Sequence, residues 1–288
     1  MLAVVIAGAG VMHAGVASAD EVRASGGNDV ELRHDLWIDV PVTAGLAGGL
    51  VAYSFVRDDI VAKSCHWCEE PRPDGVNAID TFFRDALVRR DTNPARLASH
   101  VVSYGVAPLG AAVLLSVAAA DNGTLKHAPV DLLLTAEATL TAMSVLEVVK
   151  ATVSRERPNV HAEPDEEKRA QLIEDGGAFA SFASGHTLSV FAITASAGTI
   201  ASMRGYRIAP LIWIAGSMLG VAAAYLRVAA DQHYFTDTLG GAALGMGIGA
   251  GVPWLFHRPT NKPRWMDGAA LGTQPVAGGR VVSLTVPF

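Results

Sequence analysis

Three short segments carry the residues of this 288-residue chain that are best suited to chemistry on a phosphate group. In chain order they are Lys150-x6-Arg157-Pro158, Ser184-Gly185-His186 and Arg227-x5-His233-x3-Asp237. Together they supply three cations, two histidines, one carboxylate and a Ser-Gly turn. A protein that holds a phosphate and transfers it through a histidine needs this set of groups.

The predicted phosphate ligands are the cations and the turn. Lys150, Arg157 and Arg227 can provide convergent positive charge, with the arginines offering a planar fork for two oxygens. Ser184 and Gly185 come just before a predicted helix, whose free amide N–H groups and dipole favour an anion.

The predicted catalytic residues are His233, Asp237 and His186. His233 and Asp237 stand four residues apart and therefore share a helical face. We predict that Asp237 fixes the tautomer of His233, so that the other ring nitrogen attacks phosphorus. His186 is then the general acid for the leaving alkoxide. No metal or cofactor is required, because the cations neutralise the phosphate.

Each motif alone also has an ordinary explanation. A cation at the end of a span is usually an interfacial anchor, Ser-Gly before a helix is usually a cap, and His-x3-Asp is usually a surface pair. The prediction of a site therefore depends on the co-occurrence and order of all three motifs.

The elements that must position these residues are apolar helices. Half of the residues are hydrophobic, 17% are charged and the mean hydropathy is +0.31, a composition that favours a membrane protein. The net charge of −6 disfavours nucleic acid as a partner. Six stretches have membrane-spanning length, at 37–56, 99–120, 130–149, 187–203, 208–226 and 238–256.

Topology predicts that the three motifs meet. In an up-and-down bundle, the end of the third span, the start of the fourth and the fifth-to-sixth connection lie on one membrane face, beside the polar loop 57–98. Within the third span, Glu147 either faces the same site or forms a helix-end pair with Lys150. In the last span, the small-residue face Gly241-x3-Gly245-x3-Gly249 predicts close helix packing.

The segments around the bundle predict export. Residues 1–19 contain a short apolar run and then Ala17-Ser18-Ala19, which is typical of a signal peptide, although an uncleaved helix also fits. A polar segment, 20–36, leads to the bundle at 37–257. A polar tail, 258–288, ends in a predicted short β-hairpin. For Cys65 and Cys68 we favour a structural disulfide over free thiols.

The motif set resembles the type 2 phosphatidic acid phosphatase family, whose pattern is K-x6-R-P, P-S-G-H and S-R-x5-H-x3-D. Ala183 stands where that family has Pro, and Leu226 where it usually has Ser. The resemblance covers roughly 130–256. It implies an all-α, six-helix membrane-embedded bundle with the active site at one rim, and metal-free dephosphorylation of a lipid phosphate or diphosphate. The implied roles are nucleophile for His233, acid for His186, and phosphate binding for Lys150, Arg157, Ser184, Gly185 and Arg227.

Three alternatives stay open at this point. A soluble periplasmic acid phosphatase of the same superfamily fits a signal peptide and an Ala-rich helical chain. A vanadium haloperoxidase of that superfamily is disfavoured by the membrane composition. A lipid-phosphate-binding membrane protein without activity has no need of the nucleophile. Among substrates, the motifs do not separate phosphatidic acid, phosphatidylglycerophosphate and isoprenyl diphosphates, and they leave the oligomeric state open.

Orientation rests on the basic residues of the face opposite the motifs. Arg204 and Arg207 in a short loop, with Arg258, Lys262 and Arg264 in the tail, predict that this face is cytoplasmic. The site then faces the periplasm across a bacterial-type inner membrane, in agreement with a disulfide. A cleaved signal peptide followed by six spans predicts the reverse orientation, so the two inferences conflict.

Overall fold

A computed structural model describes residues 29–60, 64–69, 75–174, 176–260, 270–276 and 279–285. The predicted signal peptide, 1–19, and residues 20–28 of the polar segment that follows lie outside the described residues.

The described chain is a helical bundle with a short C-terminal hairpin. The first helices are α1 (Leu36–Ile60), α2 (Ala78–Leu87), α3 (Asn93–Val101) and α4 (Ala107–Asp121). A π-helical turn, Val102–Val106, joins α3 to α4, and a 3-10 turn, Leu125–His127, leads into the next helix. The remaining helices are α5 (Ala128–Val153), α6 (Pro158–His161), α7 (Glu166–Glu174), α8 (Gly185–Arg204), α9 (Ala209–Ala229) and α10 (Phe235–Phe256).

Five helical stretches in the described part of the chain are long and apolar enough to cross a membrane: Leu36–Arg57, Asn93–Asp121, Leu125–Val153, Ala209–Ala229 and Phe235–Phe256. Their outer surfaces carry large apolar side chains, including Trp37 at 91% exposure and Met218 at 69%. A water-facing surface rarely carries contiguous apolar patches of this size, whereas lipid accommodates them. The protein is therefore of the multi-pass membrane type.

The predicted span 187–203 coincides with α8, which is not among those five. Helix α8 is the centre of the bundle and packs against α4, α5, α9 and α10, so most of its side chains are buried. Buried Ser and Thr residues such as Thr194 and Ser196 lower its hydropathy. Because its neighbours shield α8 from lipid, it does not need the apolar surface of an outer helix.

The glycine face of α10 allows this helix to lie directly on α8. A Cβ built on Gly241 would lie 2.5 Å from the backbone oxygen of Ser184, the N-cap residue of α8, and a Cβ on Gly245 or Gly249 would lie 2.5 Å from a backbone oxygen of α8 itself. By contrast, a Cβ on Gly247 or Gly251 would meet nothing within 4 Å. The close packing predicted from the Gly-x3-Gly spacing is confirmed, and it fixes the start of α8 against the start of α10.

A buried ion pair joins the helices at the end of the bundle opposite the three motifs. The Arg204 guanidinium donates through Nε and Nη2 to Asp131 Oδ1 at 2.8 and 2.7 Å, and the Tyr206 hydroxyl donates to Oδ2 at 2.7 Å. Arg204 is thus a neutralised core residue, which corrects its use as a free loop charge in the orientation argument.

The C-terminal strands lie within the predicted tail. Strands β1 (Ala270–Val276) and β2 (Gly279–Thr285) pair antiparallel, with Val276 opposite Gly279. This hairpin is the one sheet in the described residues, and the membrane-type bundle itself is entirely helical.

Candidate active site

A single cavity of about 1110 Å³ opens at the rim where α5 ends and α8 begins. The predicted site residues that line it are Lys150, Arg157, Gly185, His186, Arg227 and His233. Lys150 comes from the last turn of α5, Arg227 from the last turn of α9, and His233 from the connection between α9 and α10. The fold therefore brings all three motifs to one place.

The cations of the cavity are held by few opposing charges. Arg157 is positioned by neutral oxygens, since its Nε donates to Gly177 O and its Nη1 to Gln232 Oε1, both at 2.8 Å. Burial, and then the nearby Arg57 charge, lower the pKa of Arg157 to about 10. The Lys150 ammonium contacts Glu147 at 3.2 Å. A buried anion would relieve this accumulation of positive charge.

Arg227 is similarly poised. Its Nη1 lies 3.4 Å from Ser99 Oγ, and within the described residues its buried Nε has no hydrogen-bond partner. A buried guanidinium N–H without an acceptor costs free energy, so an oxygen ligand in the cavity would be stabilised there.

The first turn of α8 offers backbone donors beside these cations. Ser184 is the N-cap residue but makes no side-chain cap bond, so the amides of Gly185 and His186 keep their donors for a ligand. The Ser184 hydroxyl is fully buried and accepts from Thr187 Oγ1 at 3.1 Å. Ser184 is therefore placed under the cavity, and its side chain is not part of the cavity wall.

The ring of His233 is fixed by a backbone carbonyl. Its Nδ1 lies 2.7 Å from Ser181 O, so Nδ1 carries the proton and donates it, and Nε2 keeps its lone pair. Burial, and then the charges of Arg227, Arg157 and Lys150, hold the pKa of His233 well below its usual 6.5. The ring is therefore neutral at physiological pH, with the lone pair of Nε2 available.

The predicted hydrogen bond between Asp237 and His233 is not formed. The nearest Asp237 oxygen, Oδ2, lies 3.7 Å from His233 Nδ1, beyond hydrogen-bond distance. Asp237 Oδ2 accepts instead from Ser181 Oγ at 2.6 Å and from the Tyr234 amide at 2.9 Å. Asp237 thus orients His233 through Ser181, whose carbonyl makes the contact, because the intervening 3-residue turn carries the carboxylate too far from the ring.

Arg155, which the sequence reasoning did not single out, anchors this arrangement. Its guanidinium is fully buried and donates to Asp237 Oδ1 at 2.7 Å and to Asp80 Oδ2 at 2.9 Å, with Glu69 as a third carboxylate partner. It also lies between the rings of Trp67 and Tyr234, at 4.5 and 4.1 Å from the centroids. Arg155 therefore ties the loop before α2 to the start of α10.

The cysteine loop packs on this anchor. Cys65 and Cys68 are joined by a disulfide, and the loop between them carries Trp67, while Glu69 follows directly. The His66 amide donates to Ser154 O at 3.1 Å, which docks the loop beside Arg155. The disulfide thus closes a small loop that is held against Arg155.

His186 lies within hydrogen-bond distance of a second histidine in the cavity wall. Its Nε2 lies 2.9 Å from Nδ1 of His100, a residue of α3 that the sequence analysis did not single out. One of these two nitrogens must carry the proton that they share. No sequence motif surrounds His100, and α3 comes next to the site only in the folded protein, so local sequence could not identify this residue.

Other lining residues were also missed by the sequence reasoning. They include Arg57, Arg96, Tyr104 and Gln232, which come from α1, α3, the π-helical turn and the α9–α10 connection. Arg57 and Arg96 add positive charge, and only Gln232 lies inside a recognised motif. Glu147 lines the cavity, in agreement with the first of its two predicted interpretations, in which it faces the same site as Lys150.

Two residues that flank the third motif support it from outside the cavity. Asp231 is bound by Arg84 of α2 through two hydrogen bonds, at 2.8 and 2.7 Å. Tyr234 stacks on Arg155, and neither it nor Asp231 lines the cavity. Their role is to hold the connection that carries His233.

An apolar groove of about 600 Å³ runs between α1 and α5 beside the cavity. Its walls include Pro41, Val42, Leu46, Leu50, Val148 and the backbones at Gly45 and Gly49. Glu147 lines both the groove and the cavity. An elongated apolar group in the groove would therefore have its polar end at the cationic cavity.

A family model agrees with the motif analysis. The family model described as the PAP2 superfamily matches residues 131–261, which confirms the resemblance drawn from the three motifs. Among solved structures, the chain matches the crystal structure of the first transmembrane PAP2-type phosphatidylglycerolphosphate phosphatase from Bacillus subtilis. The two share 17% sequence identity with a TM-score of 0.44, over 75% of this chain and 94% of that chain. No curated protein matches the sequence.

Proposed function

We propose, on the premise that residues 131–261 are a PAP2-superfamily domain, that this chain is a membrane phosphatase that hydrolyses a lipid phosphate or diphosphate monoester through a phosphohistidine. One observation carries the proposal: two histidines and the cations of three separate motifs line one cavity at the rim of the bundle.

The proposed reaction has two displacements. In the first, His233 Nε2 attacks phosphorus, the bond to the leaving oxygen breaks, and His186 gives that oxygen a proton. In the second, His186 takes a proton from water, the water oxygen bonds to phosphorus, and the bond from phosphorus to His233 breaks. Phosphate leaves, and both histidines regain their starting state.

Charge stabilisation comes from the protein's own cations. Lys150, Arg157 and Arg227, with the amides at the start of α8, would contact the phosphoryl oxygens as negative charge shifts to the leaving group. Each such donor contributes about 10²–10³ in rate in enzymes where one has been removed. The proposed chemistry therefore needs no metal.

The groove between α1 and α5 supports a lipid substrate. Its apolar walls suit an acyl or isoprenyl chain, and it meets the cavity at Glu147. The exposed apolar helices place such a tail in the bilayer without removing it from a hydrophobic environment. We propose six spans, with α8 as the central one, since α8 begins at the rim where α5 ends and leads to α9, which returns to that rim.

We propose that the site faces the periplasm of a bacterial-type inner membrane. The Cys65–Cys68 disulfide supports an oxidising compartment on this side. On the opposite side, the described basic residues that support a cytoplasmic face are Arg207 and Arg258, now without Arg204, while Lys262 and Arg264 of the predicted set lie outside the described residues. Labelling of intact cells with a membrane-impermeant thiol reagent after mild reduction would reach Cys65 only in this orientation.

Two alternatives keep some support. A soluble acid phosphatase would use the same cavity, but it would leave the outer faces of five apolar helices in water. A non-catalytic binder of lipid phosphates would use the cations, but it would have no need for a neutral His233 with a free Nε2.

The direct test is phosphate release by the purified full chain in detergent with excess EDTA. We would compare phosphatidic acid, a polyprenyl diphosphate and p-nitrophenyl phosphate for the wild type, His233→Ala and His66→Ala. The last variant is a matched control, because His66 is exposed and outside the cavity. Release from a lipid that is abolished only in His233→Ala supports the proposal. Release from the soluble ester alone favours the acid phosphatase, and no release contradicts an active phosphatase on these substrates.

The lipid groove has its own test in two neighbouring glycines of α1. A Cβ on Gly48 or Gly49 would meet nothing within 4 Å, but only Gly49 lines the groove. Gly49→Leu should lower kcat/KM for the lipid by roughly tenfold, since displacing two methylenes at about 0.8 kcal/mol each loses about 1.6 kcal/mol. It should leave p-nitrophenyl phosphate turnover unchanged, and Gly48→Leu should alter neither. Equal effects of the two variants would reject the groove as the tail site.

A further inference from the structure

A buried cluster of Asp39, Glu137 and His257 lies at the end of the bundle opposite the catalytic cavity. It joins the start of α1, the first half of α5 and the residue that follows α10. Glu137 is thirteen residues before Lys150 on α5, which corresponds to about 20 Å along the helix at 1.5 Å per residue. The cluster is therefore separate from the phosphatase site.

Asp39 differs from the other described residues of α1 in being both acidic and buried. Among the described side chains of this lipid-exposed helix, Asp39 is the one buried residue, at 6% exposure. Its Oδ2 accepts from the Asp35 amide at 2.8 Å, a local contact at the start of the helix. A carboxylate that is buried on an otherwise exposed apolar helix needs a compensating partner from the rest of the protein.

The cluster has no cation of its own. In the described part of the chain, neither Asp39 nor Glu137 makes an ion pair with an Arg or Lys, and the nearest basic group is the His257 ring, at 3.6 Å from Glu137 Oε1. Buried carboxylates are normally paired or bound to metal ions, because an isolated charge is costly to bury.

Two buried polar atoms of the cluster, one on His257 and one on Glu137, lack a hydrogen-bond partner in the described structure. His257 donates Nδ1–H to the Arg33 carbonyl at 3.0 Å, which leaves Nε2 with a bare lone pair. In the described structure, His257 Nε2 and Glu137 Oε2 are both buried with no hydrogen-bond partner. The residues are more than nine-tenths buried, at 3% and 8% exposure.

We propose that Asp39, Glu137 and His257 bind a divalent transition-metal ion, of which Zn²⁺ is the type that fits best. One imidazole nitrogen and two carboxylate oxygens are a recognised ligand chemistry for zinc, and a ligating His usually donates its other N–H to a carbonyl, as His257 does. The ligand atoms lie within 4.8 Å of one another. The 3.6 Å contact already approaches the ~3.3 Å between ligands of a tetrahedral ion with ~2.0 Å bonds.

The bound ion would act as a staple for α1. This helix packs mainly against α5 and is otherwise exposed, while its far end carries Arg57 into the catalytic cavity and one wall of the groove. A dication would neutralise the two carboxylates and tie α1 to α5 and to the end of α10. Its role would be structural, and it would take no part in the phosphatase reaction.

The test measures zinc directly in the purified full chain in detergent, by metal analysis and by thermal unfolding with and without added Zn²⁺. We expect about one zinc per chain and a higher Tm with zinc for the wild type. His257→Ala and the near-isosteric Glu137→Gln should each weaken Zn²⁺ binding at least tenfold and abolish the rise in Tm. The matched control His34→Ala should behave as the wild type, because His34 also contacts a backbone carbonyl at this end but stands beside no such cluster.

Glu137→Gln keeps the test decisive even if His257→Ala does not fold. That substitution keeps the size of the side chain and removes a carboxylate ligand, so the protein should still fold while the response of its Tm to zinc disappears. A wild type that binds no stoichiometric zinc, or binds it equally well in Glu137→Gln, would overturn the proposal. These measurements do not use phosphatase activity, so they are independent of the proposed function.

Discussion

The contact of α10 with α8 gives a sharp prediction, because glycines with and without room for a methyl group alternate on the same helix. A Cβ at Gly245 would lie 2.5 Å from a backbone oxygen of α8, whereas at Gly247 it would meet nothing within 4 Å. Carbon–oxygen contacts are normally about 3.3–3.6 Å, so Gly245→Ala requires the helices to separate by roughly 1 Å or to bear the overlap.

The magnitude follows from comparing the two substitutions. Both replace Gly by Ala inside one helix, so both gain about 1 kcal/mol of helix propensity. Only Gly245→Ala overpacks an interface between backbones, which typically costs about 1–3 kcal/mol. The free energy of unfolding should therefore be lower in Gly245→Ala than in Gly247→Ala by about 1–3 kcal/mol, or roughly 2–10 °C in Tm.

Substitutions at different positions along α10 should distinguish an effect on stability from an effect on activity. A Cβ on Gly241 would meet the carbonyl of Ser184, the N-cap residue of α8 next to the cavity, while a Cβ on Gly249 would meet Ala192 two turns further along α8. Gly241→Ala should lower both Tm and kcat, and Gly249→Ala should lower Tm with little change in kcat. Thermal unfolding in detergent and turnover of the lipid substrate measure both. If Gly245→Ala is as stable as Gly247→Ala, the close packing of these helices does not contribute as argued.

Three further predictions concern the site. Arg155→Met should lower the free energy of unfolding by about 3–5 kcal/mol, because it leaves buried carboxylates such as Asp237 unpaired; an unchanged Tm would contradict this. The pKa of His233 in the folded protein is well below 6.5, so protons bind preferentially to the unfolded chain as the pH falls. The free energy of unfolding should therefore be unaffected by His233 above pH 6.5 and should fall by about 1.4 kcal/mol per pH unit below it. The value of kcat/KM should stay constant to well below pH 6.5. Unfolding and initial rates across pH check this, and an acid limb at pH 6.5 that persists in His100→Asn would refute it. His100→Asn should itself lower kcat roughly tenfold with KM little changed, because His100 shares a proton with His186. This loss is smaller than the 10²–10⁴-fold that general acid catalysis typically contributes. An unaltered kcat would show that His100 does not assist proton transfer by His186.

The sequence by itself determined the parts of this protein that depend on local pattern. Apolar length predicted the spans, and motif spacing predicted Lys150, Arg157, His186, Arg227 and His233 as one site. Alternation of helices across a membrane then predicted which ends meet, because a span reverses the side of the chain each time it crosses. The Gly-x3-Gly face was also readable, since only small residues permit such close approach.

The tertiary structure alone decided which atoms make contact. His233 donates its Nδ1–H to the Ser181 carbonyl rather than to Asp237, because an i,i+4 spacing specifies a shared helical face and His233 lies just before the helix begins. Arg155, His100 and the buried Asp39 cluster bring together residues that are distant in the chain. Such contacts depend on how whole helices pack, which no local spacing encodes, so their chemistry became visible only in the folded bundle.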